Sequence, residues 1–204
     1  MRKKTFVVAL LSVCLFVTSA SASIDKWNCA ADGDGAIVMN PGTSLTNGGQ
    51  EGGIPLYTLD MSGTQYWGPA HVAGDFITDT ELDPIVWILE DVENATNFAW
   101  TDYHIAIGMN KPFSITGTAQ PLDWTKTIAQ PIGGQLLPNG GTGWLGIVDF
   151  FAGTPIQIGQ VGTFGVKVQF AGSVQFCTEQ YPTPEPATLA MLGLGGLALL
   201  RRKK

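Results

Sequence analysis

Thr163-Phe-Gly-Val-Lys-Val-Gln-Phe170 alternates without a break, putting Phe164, Val166, Val168 and Phe170 on one side of an extended chain and Gly165, Lys167 and Gln169 on the other. A period of two with one apolar row is the pattern of a strand that buries a single face. Ala171-Gly-Ser173 then supplies turn residues and leads into Val174-Gln-Phe-Cys-Thr178, so the two runs are expected to pair as a hairpin. Outward from this pair the same pattern recurs, with short apolar or alternating runs broken by Gly, Pro, Asn and Asp at intervals of roughly ten residues. Further strand candidates are residues 36–39, 57–59, 71–78, 85–92, 98–107, 113–118, 124–129, 145–151 and 155–158. In 98–107, Tyr103, Ile105 and Ile107 alternate with Asp102, His104 and Ala106, which gives a core face and a mixed face. Helical periodicity is hard to find, and 26 glycines and 12 prolines favour turns. The expected fold is all-β, an antiparallel β-sandwich of jelly-roll or Ig-like type with about nine to eleven strands in two packed sheets.

The two ends differ in kind from this body. Arg2, Lys3 and Lys4 precede an apolar run over 5–18, and Ala20-Ser21-Ala22 supplies the small residues that a signal peptidase needs. Residues 1–22 thus read as a signal peptide, a short apolar helix cut off before Ser23. At the other end Pro184-Glu185-Pro186 precedes an uncharged apolar run over 187–200 and four cations, Arg201, Arg202, Lys203 and Lys204. Terminal cations of this kind stay on the cytoplasmic side and stop transfer, leaving Pro-Glu-Pro on the outer face. As a helix, the 14 residues of 187–200 span roughly 21 Å, short of the ~30 Å hydrocarbon core, so the segment suits transient use or removal better than a retained anchor. The arrangement resembles the PEP-CTERM sorting signal. That resemblance implies handling by an exosortase-type processing enzyme, at least transient residence in the inner membrane, and a setting in which extracellular polysaccharide is made. The expected organisation is a signal peptide over 1–22, an exported domain over 23–182, and a sorting signal with a short transmembrane helix over 183–204.

Setting both ends aside changes the electrostatics. The whole chain carries −6, yet residues 23–182 hold four lysines against sixteen acids, a net −12. Such a body repels phosphate, which argues against a nucleic-acid partner. Cys14 leaves with the signal peptide, so Cys29 and Cys177 remain, one near each end of the body. In an oxidising compartment they are expected to form a disulfide, with two separate buried thiols as the alternative.

Catalytic motifs are missing: there is no Gly-x-Ser-x-Gly elbow, His-Glu-x-x-His, phosphate loop or Cys-x-x-Cys, and the body has two histidines, His71 and His104. Asp79, Glu81 and Asp83 fall at every second position, a spacing that in an extended loop aligns three carboxylates and makes them candidate Ca²⁺ ligands; solvated acidic turns are the ordinary alternative. Asp32-Gly-Asp-Gly35 is a second such candidate. Of six tryptophans, Trp87 and Trp100 lie in apolar runs and read as core, whereas Trp67 and Trp144 adjoin turns and are candidate platforms for sugar rings. Asn94-Ala-Thr96 fits an acceptor sequon, which a bacterial host seldom reads. The expected function is that of a non-catalytic structural or adhesive protein of the cell surface or extracellular matrix. The alternatives are a carbohydrate- or Ca²⁺-binding matrix module, and a carboxylate-dependent hydrolase with a close acid pair.

Overall fold

Twelve strands follow one another through residues 23–184, the part of the chain that the computed structural model describes. They are β1 (Ile24–Ala31), β2 (Ile37–Met39), β3 (Ser44–Glu51), β4 (Ile54–Gln65), β5 (Ala70–Thr78), β6 (Ile85–Asn94), β7 (Trp100–Met109), β8 (Phe113–Ala119), β9 (Thr125–Leu136), β10 (Thr142–Ile156), β11 (Val161–Phe170) and β12 (Val174–Pro184). One sheet runs β1-β5-β12-β7-β10-β9, and the other runs β2-β4-β6-β11-β8 with β3 sharing the outer edge of β4. The all-β, two-sheet expectation holds. The signal helix, the C-terminal apolar helix, Ala20, Ala22, Glu185, Pro186 and the terminal cations lie outside the described residues. Among the described residues no helix is long and apolar enough to cross a membrane.

Two expectations about pairing need correction. β4 and β6 run parallel, because β5 crosses to the opposite sheet between them and the chain returns in the same direction. More instructively, β11 and β12 form no hairpin. β11 lies between β6 and β8 in one sheet, and β12 lies between β5 and β7 in the other. The 171–173 turn is therefore an arch over the end of the core, with Gly172 at φ +62°. The apolar rows face each other across the interior instead of lying side by side. Phe76 of β5 stacks on Phe170 at 5.6 Å and on Phe176 at 5.0 Å, closing the arch from within. The face assignment itself was right: Phe164, Val166, Val168 and Phe170 are all buried, as are Tyr103, Ile105 and Ile107.

Register also settles the cysteines, and here the expected disulfide is overturned. Cys29 sits opposite Gly74, which sits opposite Phe176, so Cys29 shares the inner face with Phe176 and places Sγ 3.1 Å from Met61 Sδ. Cys177 is one residue further along and points to the outer face, towards the Gly108 carbonyl. The two thiols project from opposite faces of one sheet, two strands apart, and both are free. Burial pushes the Cys29 thiol up to about 12, with the Glu90 carboxylate adding to the effect, and burial raises Cys177 as well. Thiol titration is expected to find both groups unreactive in the folded protein and both released by denaturant without any reductant.

The interior also holds polar side chains among its rings. Gln65, Glu90, Asn94, Thr96, Thr178 and Gln180 are buried around Tyr103. Asn94 donates to the Phe98 and Ile156 carbonyls and accepts from Thr96, which makes the apparent sequon a buried clamp of the 95–99 turn. Trp100 is core, as expected, but Trp87 is half-buried on the outer face of its sheet under the Lys167 ammonium, 5.2 Å from the ring.

Candidate functional site

The β4–β5 connection, where the chain passes from one sheet to the other, carries Tyr66-Trp-Gly-Pro69 over the outer face of β12. Tyr66 and Trp67 are 46% and 51% exposed, and Tyr181 of β12 is 38% exposed. With Asn97, Phe98, Glu179 and Pro182 they line an open groove of about 500 Å³. Burying such rings is the default outcome of folding, so three large aromatics left facing one groove need a reason.

Trp67 and Tyr181 are held in place from behind. Trp67 lies over Gly35, where an added Cβ would come 3.3 Å from the indole. The Trp67 carbonyl accepts from Gln65 Nε2 at 3.0 Å, and Gln65 Oε1 lies 3.0 Å from the Tyr103 hydroxyl in the core. Gly68 allows the loop to touch β12, since a Cβ there would stand 3.0 Å from the Tyr181 Cβ. Tyr181 stacks on His104 at 4.6 Å, and His104 Nδ1 meets Asp149 Oδ1 at 2.7 Å. Fixing these side chains before a ligand arrives lowers the entropy lost on binding.

Beside the groove, His71 of β5 stands between two carboxylates. Its Nε2 is 3.3 Å from Glu179 Oε2 and its Nδ1 is 3.1 Å from Asp32 Oδ2. The Asp34 backbone N–H, with a smaller contribution from His71, holds Asp32 below its usual carboxylate range. Asp32, Asp34 and His71 each offer one ligand atom, all within 4.8 Å of one another, a mixed N/O set that a small divalent cation would accept. The expected Ca²⁺ ligands do not gather in this way. Asp79 accepts from the Ser23 backbone N–H at 2.7 Å, Glu81 faces Lys111 at 3.6 Å, and Asp83 is exposed at the turn.

Of the two candidate platforms, the structure places Trp67 in the groove. Trp144 lies opposite Met109 on the inner face and packs against the core. Tyr66, Phe98, Glu179 and Tyr181 escaped sequence reasoning because they come from three separate segments that only the strand order brings together. The single cue was the neighbourhood of Tyr66 and Trp67, next to a Gly-Pro turn.

A family description, the PEP-CTERM protein-sorting motif, matches residues 182–204. No curated protein and no solved structure matches the chain. The chain therefore carries this sorting motif, which marks an exported protein handled by exosortase with transient membrane association. The first three matched residues, Pro182, Thr183 and Pro184, are the end of β12 and lie opposite Tyr103, Asp102 and Trp100. The groove thus borders the end of the domain from which the sorting segment leaves.

Proposed function

We propose that the protein is a non-catalytic adhesive module of the cell surface or extracellular matrix that holds polysaccharide in the Tyr66–Trp67–Tyr181 groove. The observation that carries this reading is the set of three half-exposed aromatic rings, two of them pre-positioned, around one groove on the outside of a sandwich. Flat rings cover the C–H faces of a pyranose, while Asn97 and Glu179 offer hydrogen-bonding groups to its hydroxyls. Glu179 is the one carboxylate in the lining, whereas hydrolysis by a carboxylate pair needs two, which favours binding over cleavage. Export through both terminal segments agrees with such a role. Cleavage after Ala22 leaves the Ser23 nitrogen as an ammonium 2.7 Å from Asp79 Oδ1, where the new charge has a partner. Isothermal titration with a panel of soluble oligosaccharides tests the proposal. Trp67→Ala and Tyr181→Ala are each expected to weaken the best binder about tenfold or more while leaving the circular dichroism unchanged. Equal affinity in both variants sinks it.

A further inference from the structure

The groove's charge selects among saccharides. One carboxylate, Glu179, lines it, and three more are linked to its neighbours on the outer face of the β12 sheet: Asp32 through His71, Asp149 through His104, and Asp102, which accepts from the Thr183 hydroxyl beside Pro182. Among the described residues no lysine or arginine lines it. Even with His71 and His104 both protonated, this ring of groups keeps two net negative charges. Two of the body's four lysines are committed elsewhere, Lys111 to Glu81 and Lys167 to Glu51. A glycan bearing uronate or sulfate would meet like charge on a body of net −12, and a neutral glycan would leave the negative charge of these carboxylates without a counter-charge.

We infer that the ligand is a cationic amino-sugar polymer, a glycan whose hexosamine units carry free amines rather than acetamides. This rests on the saccharide reading of the groove and names its class. The sugar ring stacks on Trp67 or Tyr66, and the ammonium sits against Glu179. One Glu179 oxygen, Oε2, faces His71, while Oε1 makes no hydrogen bond among the described residues. Aromatic faces around an anion are the combination that retains ammonium groups, because the ring quadrupole and the carboxylate act on the same charge.

The test compares short glucosamine oligomers with N-acetylglucosamine oligomers of the same length and with galacturonate oligomers, titrated into the purified full chain at a pH where the free amines are protonated. The glucosamine oligomer is expected to bind about tenfold or more tightly than its acetylated twin, and galacturonate not at all. Glu179→Gln should bring the first ratio close to unity, because the glucosamine oligomer loses its charge partner and weakens far more than the acetylated one. Trp67→Ala should weaken both oligomers. A wild-type ratio near unity, or one that Glu179→Gln leaves intact, overturns the amine assignment while the saccharide groove stands. Glucosamine binding that survives Trp67→Ala is charge attraction away from the groove and also overturns it. If no oligomer binds, or if Trp67→Ala leaves acetylated binding unchanged, the saccharide reading itself fails.

Discussion

Phe164→Ala is expected to lower the stability of the sandwich by about 4 kcal/mol, read as a shift in the urea midpoint at unchanged m. The ring is fully buried in β11 and is the residue through which the two sheets touch at their aromatic end. It stacks on Tyr103 of β7 at 4.1 Å, meets Phe150 of β10 at 5.3 Å and receives the edge of Trp124 at 5.6 Å. Truncation leaves a cavity walled by three large rings, two of them on stiff strands that cannot collapse into it, which places the cost in the upper part of the range for buried aromatics. Phe164→Leu fills most of the space and should recover roughly half. The substitution should also reach the groove. Tyr103 loses its stacking partner, its hydroxyl holds Gln65, and Gln65 holds the Trp67 carbonyl, so oligosaccharide affinity is expected to fall in Phe164→Ala before the protein unfolds.

The position of Phe164 shows what kind of information the sequence carries. Alternation in 163–170 gave the buried row correctly, because a strand that faces a core shows the same pattern whatever lies beside it. It says nothing about which strand is the neighbour. A hairpin and an arch both bury one row of β11 and one of β12, so the 171–173 turn was open to either reading, and the stacking of Phe170 and Phe176 on Phe76 decides it. The same ignorance of register made Cys29 and Cys177 look like partners, when a one-residue offset puts them on opposite faces. β3 left no trace at all: Ser44–Glu51 sets only Leu45 against the core, is otherwise held through its backbone to β4, and so has no apolar period to read. Of the groove, Trp67 was legible from its turn. Tyr181 was not, because a tyrosine in a strand is expected to be packing until the loop that crosses it is known.

The second large effect comes from the acidic residue that breaks the apolar pattern of β6. Val86, Ile88 and Val92 face the core, and by the same parity Glu90 faces it too, 2% exposed, with Oε1 lacking a hydrogen-bond partner among the described residues. Burial raises this carboxyl from 4.5 to about 7, against the hydrogen bond from Gln180, with Asp91 adding to the rise. The folded state therefore binds a proton that the unfolded state has already released. Stability is at its fullest, for this group, below about pH 4.5, falls as the pH rises towards 7, and levels off above that, a loss of about 3 kcal/mol in all. Asp32, Asp79 and Asp123 act in the opposite sense: their carboxyls are held below 3.8 by hydrogen bonds in the folded state, so their contribution disappears only as the pH falls beneath that value. The two windows do not overlap, and the stability maximum should lie near pH 4 to 5, well below neutrality. Glu90→Gln keeps the shape and cannot ionise. It is expected to flatten the profile between about pH 4.5 and 7 and to stabilise the protein by about 3 kcal/mol at pH 8, measured by urea unfolding across that range. A variant that kept the wild-type slope would show that the proton is bound elsewhere. A variant that flattened the slope yet lost stability at every pH would mean that the carboxyl, when protonated, donates a hydrogen bond that the amide cannot replace.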